Sequence, residues 1–235
     1  MHATYDNPIK ILLESFRGKK KLDILDYGCG DASVLEYIPR NIVNSYTGFD
    51  VNTNSLKAAH KKFIANKFKF VKIENGKLPN LGKKNSFDVV IAIGSLQYMS
   101  SVEINSLLKE SKRVLRRNGI IIISCASDHL LYRFTDVYRL AIPHGYISRK
   151  NILKIMKTKG FKIEECYERG LIFSPLFLNA CVIPFDISDK LFFRTKGSLG
   201  PFGKASRKVA ALFVRLEYLI PIDFGYTLYI KSIKK

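Results

Sequence analysis

Residues 22–33 read Leu-Asp-Ile-Leu-Asp-Tyr-Gly-Cys-Gly-Asp-Ala-Ser, and the rest of the chain is arranged around them. Ile24-Leu25 is a short apolar run behind a lysine cluster and reads as a buried strand ending at Asp26. Gly28 and Gly30 then open a tight turn, and residues 32–38, Ala-Ser-Val-Leu-Glu-Tyr-Ile, predict the first turns of a helix. Strand, glycine turn and helix N-terminus together make a nucleotide cradle: glycine lets a ligand approach the backbone closely, and the free N–H groups of a helix start face it. A dinucleotide requires a third glycine where Ser33 stands, and a phosphate-binding loop requires Gly-Lys-Ser/Thr, which is absent. What remains is Asp26-x-Gly28-x-Gly30, whose carboxylate would repel a pyrophosphate and suits a cationic ligand bearing an ammonium group.

S-adenosylmethionine carries both an ammonium and a sulfonium. At Asp26-Tyr27-Gly28-Cys29-Gly30 the sequence resembles the first motif of the class I S-adenosylmethionine-dependent methyltransferases, down to the cysteine. Ala32 stands where many members have another glycine, a mild departure that would narrow the methionine end of the pocket. The resemblance implies S-adenosylmethionine as cofactor, with Asp26, Gly28, Cys29 and Gly30 around it.

Tyr46-Thr47-Gly48-Phe49-Asp50 reads as a second strand ending in an acid. Asp50 lies about 20 residues beyond the glycine turn, the spacing at which a carboxylate meets ribose hydroxyls in a strand–helix–strand nucleotide site. By resemblance Asp50 is the ribose ligand, with Val51 beside the adenine ring; a role in capping the helix expected over residues 53–66 is compatible with this. Residues 68–73 read as a third strand. In the turn after it, Asn75-Gly76 occupies the place where many methyltransferases put an Asp that accepts from the adenine amino group; an amide oxygen can still accept there. An Asn before Gly also has its own reason to sit in a turn. Residues 87–93 form a buried fourth strand, and Gly94-Ser95-Leu96-Gln97-Tyr98-Met99 continues it at the carboxyl edge, where ligands sit in open α/β sheets. The resemblance places this loop beside the reactive methyl and adds Ile93, Gly94 and Ser95 to the cofactor set. The loop is not the Asn/Asp-Pro-Pro-Tyr type, which argues against methylation of adenine N6.

Further elements follow from periodicity and caps. A leading helix is expected from Asn7-Pro8, and another over residues 101–117, ended by Asn118-Gly119 before a fifth strand at 120–125. Ser148 caps a helix at 149–159, the sixth strand covers 162–168, and the last covers 224–231, which related proteins pair antiparallel at the sheet edge. The expected fold is α/β: a Rossmann-like, seven-stranded, mostly parallel sheet with helices on both faces, the last strand antiparallel and an insertion between strands six and seven. Residues 1–235 read as one domain, with 171–220 as a lid-like substrate insertion.

The 235 residues include 39 Lys+Arg against 20 Asp+Glu, a formal net charge of +19. That excess fits an anionic partner, or lysines scattered over solvated faces. Cys29, Cys125, Cys166 and Cys181 are widely spaced, so neither a zinc site nor a disulfide framework is expected, and a reducing compartment fits. A free Cys125 reads as a small buried hydrophobe rather than a nucleophile. No secretory pattern opens the chain and no run is long enough to span a bilayer, so the expected location is cytoplasmic, with peripheral membrane contact. The uncharged run at 171–185, beside basic residues 190–208, suits an amphipathic acceptor or an anionic membrane surface. The expected activity is methyl transfer to a small-molecule or lipid/glycan-type acceptor, with Tyr98, His129 and His144 as candidate bases. An RNA methyltransferase and a catalytically silent cofactor-binding module are the alternatives.

Overall fold

The computed structural model describes residues 3–16, 21–64, 68–73, 80–130, 133, 143–170 and 223–235. A seven-stranded sheet runs through them in the order β3-β2-β1-β4-β5-β7-β6. Strands β1 (Leu22–Tyr27), β2 (Val43–Asp50), β3 (Phe68–Lys72), β4 (Phe87–Ile93) and β5 (Leu115–Ala126) are mutually parallel. β7 (Thr227–Lys234) runs antiparallel between β5 and β6 (Phe161–Arg169). It is therefore one position in from the edge, not at the edge as expected, because it pairs along its length with a strand on each side.

The strands are apolar on both faces, as a sheet covered on two sides requires. Ile24, Val89, Ile91, Ile120 and Ile122 face one core, which also holds Ile9 and Leu12 of α1 (Ala3–Ser15) and Leu56 and Ala59 of α2 (Thr53–Lys62). Leu25, Val90, Ala92, Ile121 and Ile123 face the other, with Leu107 and Leu108 of α3 (Ser101–Val114) and Ile152 and Met156 of α4 (Arg149–Thr158). Each Leu, Ile, Val or Met among them, fully buried, contributes about 1.5–3 kcal/mol of transfer free energy.

Several boundaries differ from the sequence expectation. α1 begins at Ala3, so Pro8 lies inside it rather than at its first position. α2 ends at Lys62, not at residue 66, because Phe63 turns in to bury its ring edge-on against Phe68, 6.3 Å between centroids. α3 ends at Val114, and Leu115 is already extended and paired with Phe87. Residues 116–119, with Asn118 at φ 62°, bulge opposite Asp88 before the ladder resumes at Val89↔Ile120. The bulge has a cause: Arg116 donates to Asp88 Oδ2 at 2.6 Å and to Asp23 Oδ2 at 2.8 Å, clamping the starts of β1, β4 and β5 together. Finally, β7 starts at Thr227, three residues later than residue 224, since Tyr226 N donates to Gly170 O and closes the neck between β6 and β7. The insertion at 171–220 lies outside the described residues; the chain leaves for it after β6 and returns before β7 at the carboxyl edge of the parallel strands.

Candidate functional site

After β1 the chain does not enter an α-helix. Ala32 is left-handed (φ 56°), and only a 3-10 turn follows at Ser33–Glu36. The reason is local: a left-handed residue on one side and Pro39 on the other leave too few residues to nucleate a longer helix. This corrects the expected helix over residues 32–38 and removes the helix terminus from the cradle. The turn's N–H groups are also engaged. Gly28 and Cys29 both donate to Phe49 O, Ala32 donates to Cys29 O, and Ser33 donates to Asp31 Oδ1. Gly30 N donates to Asp50 Oδ2 at 2.7 Å. No fan of N–H groups is left to hold a pyrophosphate, which disfavours a dinucleotide on geometry as well as on motif.

The site offers carboxylates instead. Asp26 is 3% exposed at the end of β1, and its Oδ2 accepts from the Tyr46 hydroxyl at 2.6 Å. Burial, opposed by that hydrogen bond and assisted by the nearby Asp50 charge, raises the Asp26 carboxyl to about 7. Asp50 closes β2 with both oxygens partly used: Oδ1 accepts from Asn52 N and Oδ2 from Gly30 N, each at 2.7 Å. Each oxygen keeps accepting capacity for a vicinal diol. The helix cap expected as an alternative duty of Asp50 belongs to Asn52, whose side chain accepts from Asn54 N and Ser55 N. Val51 follows with its side chain 62% exposed, an apolar surface for a ring beside the diol acceptor.

Two glycines mark where a ligand fits. Gly30 (φ 56°) and Gly94 (φ 66°) are left-handed, and a Cβ on either would meet nothing within 4 Å. Gly28 differs: its added Cβ would stand 2.5 Å from Ser95 Cβ, so it serves the packing of the turn on the β4 loop. The Ser95 hydroxyl is buried there without a partner among the described residues. Ile93 is half-buried at the end of β4, and Gly94 N donates to Ser124 O, holding this loop to β5. Open space at Gly30 and at Gly94, a diol acceptor, a buried carboxylate and a hydroxyl without a partner among the described residues suit the adenosyl and amino-acid parts of S-adenosylmethionine. Cys29 is buried against the turn, its thiol pushed up by burial, and serves packing. Asn75 and Gly76 lie outside the described residues.

The candidate bases fall in two places. Leu96–Tyr98 forms a 3-10 turn in the β4 loop, and Gly145 N donates to Gln97 O. That bond brings the segment before α4 onto the rim, so His144 lies 5.9 Å from the Tyr98 ring and 5.6 Å from Tyr146. Tyr98 is 55% exposed. His129 instead packs edge-on against Phe224 at 4.0 Å, beside the neck between β6 and β7. Cys125 is a buried free thiol, pushed up by burial. Sequence reasoning missed Tyr46 and Gln97. Tyr46 was legible as a hydroxyl on the strand paired with β1, two residues before the Gly48 that pairs with Asp26; Gln97 carried no signal. Among the described residues no helix is long and apolar enough to cross a membrane.

A family model described as a methyltransferase domain matches residues 25–123. An uncharacterized protein of Methanocaldococcus jannaschii is 28% identical over 167 residues, covering 71% of this chain and 66% of that protein. A ubiquinone biosynthesis O-methyltransferase of Pelagibacter ubique is 27% identical over 112 residues, 47% of this chain and 45% of its own length. The matches thus span less than two thirds of these relatives. Among solved structures, an S-adenosylmethionine-dependent methyltransferase from Mesorhizobium loti superposes with a TM-score of 0.64 at 17% identity, covering 99% of this chain and 98% of that one. A geranyl diphosphate C-methyltransferase from Streptomyces coelicolor A3(2) gives 0.62 at 13% identity, over 97% of this chain and 79% of its own. Residues 25–123 thus match a methyltransferase domain, and the chain is similar in fold to solved S-adenosylmethionine-dependent methyltransferases.

Proposed function

We propose that the chain transfers the methyl group of S-adenosylmethionine to a small-molecule or amphipathic acceptor bound over the carboxyl edge of β4 and β5. The observation that carries this reading is the Asp50 carboxylate, fixed by the Gly30 and Asn52 N–H groups beside the open volume at Gly30. The cofactor supplies a methyl already activated by its sulfonium, so the protein's main task is to place the acceptor in line with it. Gly94 and Ser95 flank the cofactor side, and Tyr98 and His144 line the rim from which an acceptor would approach. Where the acceptor arrives protonated, Tyr98 or His144 takes the proton, with His129 on the far side of the rim. The insertion at 171–220 supplies acceptor choice in this reading, supported by its departure and return at the same edge. Its uncharged run and neighbouring basic residues favour an acceptor that is apolar at one end and anionic at the other, or contact with an anionic membrane surface.

Calorimetry tests the cofactor half: S-adenosylmethionine and its demethylated product should bind in a similar range, and NAD should not bind. Incubation with methyl-labelled cofactor and extracts fractionated into metabolites, lipids and RNA tests the acceptor half. The net charge of +19 favours RNA as the second reading; label appearing in RNA alone would replace the small-molecule reading with that one.

A further inference from the structure

Tyr46 is a core residue with a polar end. It is 0% exposed, and its ring packs against Phe68 and Phe70 at 6.2 and 5.9 Å between centroids. Ordinary core logic would put Phe at this position. The hydroxyl instead reaches Asp26 Oδ2 at 2.6 Å, across the β1–β2 pairing in which Ile24 opposes Tyr46 and Asp26 opposes Gly48. We infer that Tyr46 is a positioning residue of the cofactor site: its hydroxyl fixes the Asp26 carboxylate and favours the ionised form that receives the cofactor's ammonium group. The inference rests on the cofactor reading above and adds to it a residue that touches no ligand.

The surroundings of Asp26 explain why such a donor is required. The titratable groups facing it are Tyr46 and Asp50 from β2 and the Cys29 thiol from the glycine turn; from β4 its paired neighbour is the apolar Ile91. Among the described residues none of these is cationic. Tyr46 is therefore the group that favours the carboxylate, against burial and the Asp50 charge, which both disfavour it. A cationic ligand arriving at Asp26 would complete what the hydroxyl begins, and its binding should displace a proton from the carboxyl near neutral pH.

The test is Tyr46→Phe, which keeps the ring in the core and removes only the oxygen. S-adenosylhomocysteine binding is measured by calorimetry on the full chain from pH 6 to pH 8.5, in parallel with wild type. Losing one hydrogen bond to a charged group should raise the Asp26 carboxyl by about one unit. The affinity ratio of wild type to variant should then be roughly tenfold at pH 6 and fall below about twofold at pH 8.5, where Asp26 is ionised in both. The ligand's own titration cancels in this ratio. In an Asp26→Asn background the same tyrosine substitution should change affinity by less than about twofold, since the two residues act as one unit. A ratio that stays constant across pH, or an equal effect of Tyr46→Phe with and without Asp26, would reduce Tyr46 to a packing residue and overturn the inference while leaving the cofactor reading intact. Failure of the wild-type protein to bind S-adenosylhomocysteine at any pH would overturn both.

Discussion

The Cys29 thiol fills the space that a side chain on Gly48 would need: a Cβ there would stand 2.7 Å from Sγ and 3.1 Å from the Phe70 ring. The first motif and the second strand are thus fitted to each other, with Gly48 opposite Asp26 in the β1–β2 pairing. Gly48→Ala should overpack this contact and cost about 1–3 kcal/mol, read as a lowered midpoint in urea. It should also displace the glycine turn and weaken cofactor binding. Cys29→Ala removes the sulfur, the nearest of these atoms, and leaves its Cβ at 3.0 Å, so the double variant should recover part of both losses. A double variant no better than Gly48→Ala would assign the strain to the Phe70 ring and the Cys29 Cβ instead.

Asp50 is the second test of the cradle. Asp50→Ala removes both carboxylate oxygens that we propose accept from the ribose, and a hydrogen bond to a charged group is typically worth ~1.5–3 kcal/mol. Cofactor affinity should fall roughly ten- to a hundredfold by that arithmetic, with the cooperative unfolding transition retained. Asp50→Asn keeps one acceptor for Gly30 N or for the ligand and should lose less. An unchanged affinity in Asp50→Ala would leave Asp50 as an anchor for the turn only, through Gly30 and Asn52.

Much of this arrangement was legible before any coordinates. The near-continuous apolar runs in β1, β4 and β5 dictate a sheet buried on both faces, and Asp26, Gly28, Gly30 and Asp50 carry the motif in their spacing. What the sequence did not reveal depends on contacts between distant residues. The end of α3 is set by Arg116 reaching Asp23, 93 positions away, and no helical pattern encodes that reach. The 3-10 turn after Gly30 was hidden because residues 33–36 are acceptable helix formers; the left-handed Ala32 before them decides the outcome. The place of β7 inside the sheet was likewise invisible, since strand order between consecutive elements leaves no local trace.

Two carboxylates of β1 respond to pH with opposite signs. Asp23 is held below its ordinary value: burial opposes this, but hydrogen bonds from Ser45, Arg116 and Asn44 and the Arg116 charge outweigh it. Its folded form binds fewer protons than the unfolded chain, so its contribution to stability is present above the ordinary carboxylate value and is lost as pH falls below it. Asp26 is raised by burial to about 7. Its folded form binds more protons than the unfolded chain between its ordinary value of 3.8 and about 7, so its contribution is lost as pH rises across that interval. Asp26→Asn should therefore flatten the decline in stability between pH 4 and about 7 and leave the ligand-free protein more stable than wild type at pH 8. Arg116→Gln lets Asp23 titrate closer to its ordinary value, so it should lower stability at neutral pH and flatten the loss on the acid side of the profile. Thermal unfolding of the three proteins from pH 3 to pH 8 reads both slopes. An Asp26→Asn profile parallel to wild type would mean that the carboxyl titrates normally in the folded chain.

Tyr98 separates binding of the cofactor from use of it. It follows three residues after Ser95 in the β4 loop, is exposed at the rim, and has the His144 ring 5.9 Å away across the Gln97–Gly145 bond. None of the contacts that shape the Asp50 cradle passes through its side chain, so Tyr98→Ala should leave the dissociation constant for S-adenosylhomocysteine within about twofold. Removing this rim side chain, which we propose orients the acceptor, should nonetheless lower kcat/KM for transfer by about tenfold or more, since misplacement by ~1 Å can cost on the order of a hundredfold. Tyr98→Phe then divides the role. If the hydroxyl takes the acceptor's proton, turnover falls about 10²- to 10⁴-fold and KM is little changed; if the ring only shapes the rim, Tyr98→Phe behaves as wild type. His144→Asn should follow the same division with the two outcomes exchanged, because one base suffices for one proton. Full turnover in both Tyr98→Phe and His144→Asn would assign the proton to His129 beside Phe224, or to an acceptor that arrives already deprotonated. A parallel fall in cofactor affinity in Tyr98→Ala would instead place Tyr98 in the cradle itself.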